Sequence, residues 1–201
     1  MELIGPYLVA CGLLVIAGVA KAVRPDDTAR ALVQLAAAGP SAATGDGAAR
    51  HRHRPGLRAA RSAVRAGATA EAVLGAVALV LPRTGTAAAV AVSYLAFAAF
   101  VALAMVRGGV LATCGCFGRP DTPPTAIHVA VNLVLAASAA AVAAAAPSTG
   151  TVAGVLRHQP WHGVPLVVVS ALGTWLAGLV LVRLAALEVV RRQVGVREAH
   201  A

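Results

Sequence analysis

Residues 86–106 read Thr86-Ala-Ala-Ala-Val-Ala-Val-Ser-Tyr-Leu-Ala-Phe-Ala-Ala-Phe-Val-Ala-Leu-Ala-Met-Val106, an apolar run without one charged side chain. A helix crossing the hydrocarbon layer needs about 20 such residues, because the layer is about 30 Å thick and each residue rises about 1.5 Å. Four further stretches, 3–20, 66–81, 125–146 and 164–187, approach the same length and character. The second is the shortest and holds Glu71 in its first turns, and Arg65 at its start can snorkel to lengthen the span. The expectation is an all-α polytopic bundle of five spanning helices.

Composition agrees with that expectation. Of 201 residues, 59% are hydrophobic and 12% charged, whereas a soluble domain carries roughly 25% charged residues. That shortage excludes a soluble globule, a disordered chain and a charged coiled coil. Aromatics make up 3% of the chain, too few for base-stacking platforms, and no Gly-rich phosphate loop or Ser-His-Asp constellation is present. No nucleic-acid partner is expected. Three cysteines are too few for a disulfide scaffold.

The net charge of +9 records topology, since Lys and Arg are retained on the cytoplasmic side of a membrane. Nine basic residues lie between the first two spans: Lys21, Arg24, Arg30, Arg50, Arg52, Arg54, Arg58, Arg61 and Arg65. Arg107 and Arg119 follow the third span, and Arg183, Arg191, Arg192 and Arg197 lie toward the carboxyl end. The opposite face has Arg83 and Arg157. The expected topology places the amino terminus outside and the carboxyl terminus in the cytoplasm of a bacterial plasma membrane. The first span is expected to stay in place rather than be cleaved as a signal peptide, because its only early charge is Glu2 and no basic segment precedes it.

Residues 22–65 are too polar to span. Segments 27–38 and 57–68 have helical spacing, the second with Arg58, Arg61 and Arg65 on one stripe, and both are expected on the inner membrane surface. Residues 39–56 collect Gly, Pro, Ser and Thr around Arg50-His51-Arg52-His53-Arg54, and read as a flexible basic insert rather than a metal site.

The chemistry-bearing string is Thr113-Cys114-Gly115-Cys116-Phe117-Gly118. Thiols two residues apart come within disulfide range if the backbone turns sharply, and Gly115 relaxes the steric limits on that turn. A strained accessible pair of this kind suits redox cycling. Soft-metal chelation and a purely structural role are the alternatives, and neither makes the chain an enzyme. Lys21, Glu71, His128 and Asn132 are polar groups in or beside spans, where such groups mark function or interhelical pairing. The topology brings all four to the half of the bundle from which residues 107–124 run. Pro123 and Pro124 mark the start of the fourth span, whose amino terminus favours a thiolate. Lys21 is a candidate for charge stabilisation, and His128 or Glu71 for proton transfer. The competing roles are an ion pair between Lys21 and Glu71, and interhelical hydrogen bonds from His128 and Asn132. Cys11, alone in an apolar helix, reads as a small hydrophobe, Trp161 as an interfacial anchor and Trp175 as a packing residue.

The order Ala17-Gly18-Val19-Ala20-Lys21, then Glu71 with Gly75, then Cys114-Gly115-Cys116-Phe117-Gly118, then His128 with Asn132 resembles the methylamine utilisation protein MauE family of bacterial membrane proteins. The helix-end and Glu motifs are shared more loosely with DoxX-like proteins. The resemblance covers about residues 3–146. It implies a four-helix membrane bundle in thiol–disulfide chemistry, a thioredoxin-like partner, and support of disulfide formation in an exported, methylamine dehydrogenase-type subunit. It also admits a quinone as electron carrier, although no cofactor follows from the residues themselves. The insert at 39–56, the fifth span and Cys11 depart from the family pattern.

Overall fold

A computed structural model describes residues 4–37, 56–106, 125–145 and 152–184. Within them the chain forms helices α1 (Ile4–Val23), α2 (Asp26–Ala37), α3 (Leu57–Val80), α4 (Thr84–Val106), α5 (Ala126–Ala145), the short α6 (Val152–Arg157) and α7 (Val164–Leu179). A 3-10 turn, Pro160–Gly163, precedes α7, and a π turn, Val180–Leu184, follows it. No strand occurs among the described residues. Five helical segments are long and apolar enough to cross a membrane: α1, α3, α4, α5 and Trp161–Leu179. The protein is an all-helical, multi-pass membrane bundle.

The central helix is α1, which packs against α3, α5 and α7, while α4 and α5 pair along their lengths. The core joins Tyr7, Cys11 and Leu14 of α1 to Ala78 of α3, Val90 and Tyr94 of α4 and Leu135 and Ala139 of α5. Lipid tails are as apolar as these side chains, so association has to come from close packing and polar bonds. Small residues supply the closeness. A Cβ on Gly18 would stand 2.7 Å from Ala68 O and Ala72 N, and one on Gly75 would stand 2.9 Å from Cys11 O. The two glycines let the antiparallel backbones of α1 and α3 touch at two successive levels. Polar bonds supply the rest: Tyr7 donates to Ala78 O at 3.2 Å and Tyr94 to Ala10 O at 2.6 Å, both across helix pairs.

Three expectations from the sequence are corrected. Segments 57–68 and 66–81 are one helix, α3, because nothing between Leu57 and Val80 interrupts the ladder, and Gly67 is tolerated in an Ala-rich run. Its 24 residues reach about 36 Å, so its first turns project past the hydrocarbon layer. Glu71 accordingly lies well inside the helix rather than in its opening turns. Trp175 faces outward, at 61% exposure, rather than packing in the bundle. A Cβ on Gly173 would stand 2.9 Å from Val9 of α1, whereas one on Gly178 would have no described neighbour within 4 Å.

Helix α2 begins with Asp26 and Asp27, acidic side chains suited to a helix amino terminus. It buries Ala29 against Ala60 and Val64 of α3, and Ala31 against Ala104 of α4. The polar linker thus starts with a helix laid over one end of the bundle, near the end of α1.

Gly18→Ala is expected to destabilise the bundle by about 1–3 kcal/mol, since the added methyl meets backbone rather than a movable side chain. Gly85→Ala, at a position open on all sides, is expected to be neutral or slightly stabilising. Thermal unfolding in detergent compares the two.

Candidate functional site

The site begins with Lys21, in the last turn of α1 and 7% exposed. An ammonium at this depth requires compensation. The Glu71 carboxylate of α3 supplies it through an ion pair, and the face of Phe97 on α4 adds to it, its ring centroid 4.5 Å from Nζ. Phe97 is held edge-to-face by Tyr94, at 5.9 Å between centroids and 86° between planes. Tyr94 is in turn anchored to α1 through its bond to Ala10 O. One buried cation thereby ties three helices together, and the ion pair expected between Lys21 and Glu71 is present.

His128 lies in the first turn of α5, also buried. Its Nδ1 is 3.0 Å from Thr125 Oγ1 and accepts from Thr125 N at 3.4 Å. An accepting Nδ1 leaves the ring proton of neutral imidazole on Nε2. One turn later Asn132 donates from Nδ2 to His128 O at 2.7 Å. These bonds lie within the start of α5 and orient the two side chains.

Lys21, His128 and Asn132 line one cavity of about 50 Å³. Leu13, Leu14 and Ala17 of α1, Tyr94 and Phe97 of α4, Leu135 of α5 and Leu181 of the π turn complete its wall. It has room for roughly one or two water molecules, which the polar groups are able to hold. Glu71 lies on the other side of Lys21 and Phe97, in a groove of about 310 Å³ bounded by Leu32, Val64 and Phe100. Of the sequence-predicted site residues, three therefore share a cavity, and Glu71 joins them through Lys21. Cys114, Gly115, Cys116, Phe117 and Gly118 lie outside the described residues; their segment joins Val106 of α4 to Thr125, three residues before His128. Cys11 is fully buried, free, and absent from the cavity wall. It stands ten residues before Lys21, about 15 Å along the helix axis. Among the described residues, no three His, Cys, Asp or Glu side chains converge as a metal site would require.

Tyr94 and Phe97 were not singled out from the sequence. The available signal was their clustering: in a chain with three Phe and two Tyr, Tyr94, Phe97 and Phe100 recur every three residues along one helix.

The arrangement defines a polytopic helical membrane protein with a buried polar cluster at one end of its bundle. Residues 2–146 match the methylamine utilisation protein MauE family, and the chain belongs to that family. No curated protein and no solved structure matches it. The match ends at the close of α5, so α7 is an addition to the family's portion of the chain.

Removing one partner of a buried pair strands the other charge, whereas removing both does not. Lys21→Met and Glu71→Gln are each expected to cost about 3 kcal/mol, and the double variant less than their sum. A double-mutant cycle read by unfolding in detergent measures that coupling.

Proposed function

We propose that the protein is a membrane thiol–disulfide redox protein in which Cys114 and Cys116 cycle between dithiol and disulfide. The observation that carries the reading is the convergence of Lys21, His128 and Asn132 on one cavity, at the end of the bundle from which the Cys114-Gly115-Cys116 segment departs. Membership of a family associated with methylamine utilisation supports it.

In the reaction, a thiolate of the pair attacks a disulfide of a thioredoxin-like partner, forming a mixed disulfide and expelling the partner's second sulfur as a thiolate, which takes up a proton. The remaining cysteine then attacks the mixed disulfide. Cys114 and Cys116 end bridged, the partner ends as a dithiol, and two electrons and two protons have passed to it. The reverse sequence passes them back. His128 takes the proton from the attacking thiol on Nδ1, whose protonated form donates to Thr125 Oγ1, and the Lys21 ammonium adds positive potential that favours the thiolate. In that reverse direction the partner leaves as a disulfide, the form able to support disulfide formation in an exported subunit of the methylamine dehydrogenase type. The basic residues concentrated at the Lys21 end favour an orientation with that end in the cytoplasm and the amino terminus outside.

Acid-quenched thiol trapping in cells is expected to show the pair bridged, opened by a pulse of membrane-permeant reductant and bridged again on its removal. Cys114→Ser and Cys116→Ser are each expected to abolish maturation of the partner's target while leaving the protein in the membrane. Thiols that stay free throughout, or normal maturation in both variants, would overturn the reading. His128→Gln is expected to slow exchange with the partner roughly a hundredfold at neutral pH without preventing the bridge from forming, as stopped-flow trapping would measure.

A further inference from the structure

A second concavity lies at the same end of the bundle, outside the polar cluster. The link between α1 and α2, the first turn of α2 and the early turns of α3 enclose a cleft of about 460 Å³. Arg24, Arg30, Arg61 and Arg65 line it together with Asp26 and Asp27, so four guanidiniums face two carboxylates and a formal charge of +2 remains. Both acids are committed: Asp27 Oδ1 to Arg30 at 2.5 Å and Asp26 Oδ1 to Arg61 Nε at 2.6 Å. The Arg61 contact is an ion pair without hydrogen-bond alignment, leaving its buried Nε unsatisfied. Arg65 spends Nε on Ala22 O at 3.2 Å, which fixes its side chain and leaves its terminal nitrogens for another acceptor. The Arg24 side chain makes no hydrogen bond or ion pair among the described residues; its backbone N–H donates to Ala20 O at 2.9 Å.

The cleft lies where α1 ends, at the level at which α3 passes out of its apolar stretch. Val23 forms its lip. From that lip an exposed apolar stripe, Val23, Val19 and Ile16, descends one face of α1. A polar, positively charged cleft opening onto a lipid-facing apolar stripe matches one ligand chemistry: a phosphate diester on acyl chains. Guanidinium forks bind phosphate oxygens in pairs, and anionic lipids are drawn to basic pockets at membrane surfaces.

We propose that this cleft is a binding site for the headgroup of an anionic phospholipid, with Arg24 and Arg65 contacting the phosphate and the acyl chains lying along Ile16, Val19 and Val23. Arg30 and Arg61, paired with Asp27 and Asp26, set the shape of the cleft and leave the net positive charge at its mouth. Bound there, the lipid ties the end of α1 to the start of α3, beside the Lys21–Glu71 pair.

The test is native mass spectrometry of the full-length protein released from nanodiscs containing equal phosphatidylglycerol and phosphatidylcholine. The wild type is expected to retain phosphatidylglycerol preferentially. Arg24→Gln, which removes no side-chain hydrogen bond or ion pair among the described residues, is expected to weaken that preference roughly fivefold, and R24Q/R65Q roughly thirtyfold. Arg83→Gln, at the opposite end of the bundle, is expected to leave it unchanged. Equal retention of the two lipids by the wild type, or wild-type selectivity in both Arg24 variants, would overturn the proposal. Displacement of the retained lipid by millimolar inorganic phosphate, which then occupies the cleft by itself, would overturn the lipid as the source of the phosphate.

Discussion

The contact between α1 and α3 is the constraint on which the bundle depends. In a bilayer there is no hydrophobic reward for pressing two apolar helices together, so the pair is held by what lipid cannot provide: backbone approach and charge pairing. Gly18 and Gly75 remove the side chains that would keep the backbones apart. That approach brings Lys21 within reach of Glu71, and the resulting pair is sealed by Phe97 from α4. Enlarging either glycine would therefore disturb the charge pair as well as the packing. The helix that carries Lys21 also carries the carbonyl that receives Tyr94, so the position of α4 follows from the same contact.

The polar cluster is a consequence of this packing. Lys21 comes from the end of α1, His128 and Asn132 from the start of α5, and Tyr94 and Phe97 from the middle of α4. Antiparallel crossing puts the end of α1 and the start of α5 at the same level, and Phe97 with Lys21 forms the wall between the small cavity and the groove that holds Glu71. Polar groups placed so deep are costly in a membrane, and here each has a partner: a carboxylate and a ring for the lysine, a hydroxyl for the histidine, a carbonyl for the asparagine. The energetic demand of burying them is met by one arrangement.

Much of this was legible in the sequence, for reasons that differ from residue to residue. Length and uniform apolarity identify spanning helices because the bilayer imposes a fixed length, and α4 and α5 follow residues 86–106 and 125–146 closely. The break expected near residue 66 fails because polarity changes there while helix propensity does not; a helix crosses the membrane surface without interruption when its backbone bonds are satisfied internally. Glu71 and Lys21 stood out as charges among apolar neighbours, but their pairing spans fifty residues of chain and leaves no local trace. Trp175 shows the converse limit. In an apolar helix that faces lipid, an aromatic side chain has the same composition around it whether it points inward or outward, and the outward choice follows from α7 lying at the edge of the bundle.

The sequence alone determined that the protein is a multi-pass helical membrane protein, the order of its spans, the segregation of its basic residues to one end, and the motifs that join it to the MauE family. Those properties are local or additive: they depend on run length, composition and spacing, which the bilayer reads one segment at a time. Tertiary structure decided which polar residues share a cavity, that Glu71 stands apart from His128 behind Lys21 and Phe97, and that arginines from two helices enclose a cleft beside an apolar stripe. Those properties depend on the rotation of each helix about its own axis, which is set only when glycines, tyrosines and charges on separate helices are brought into contact.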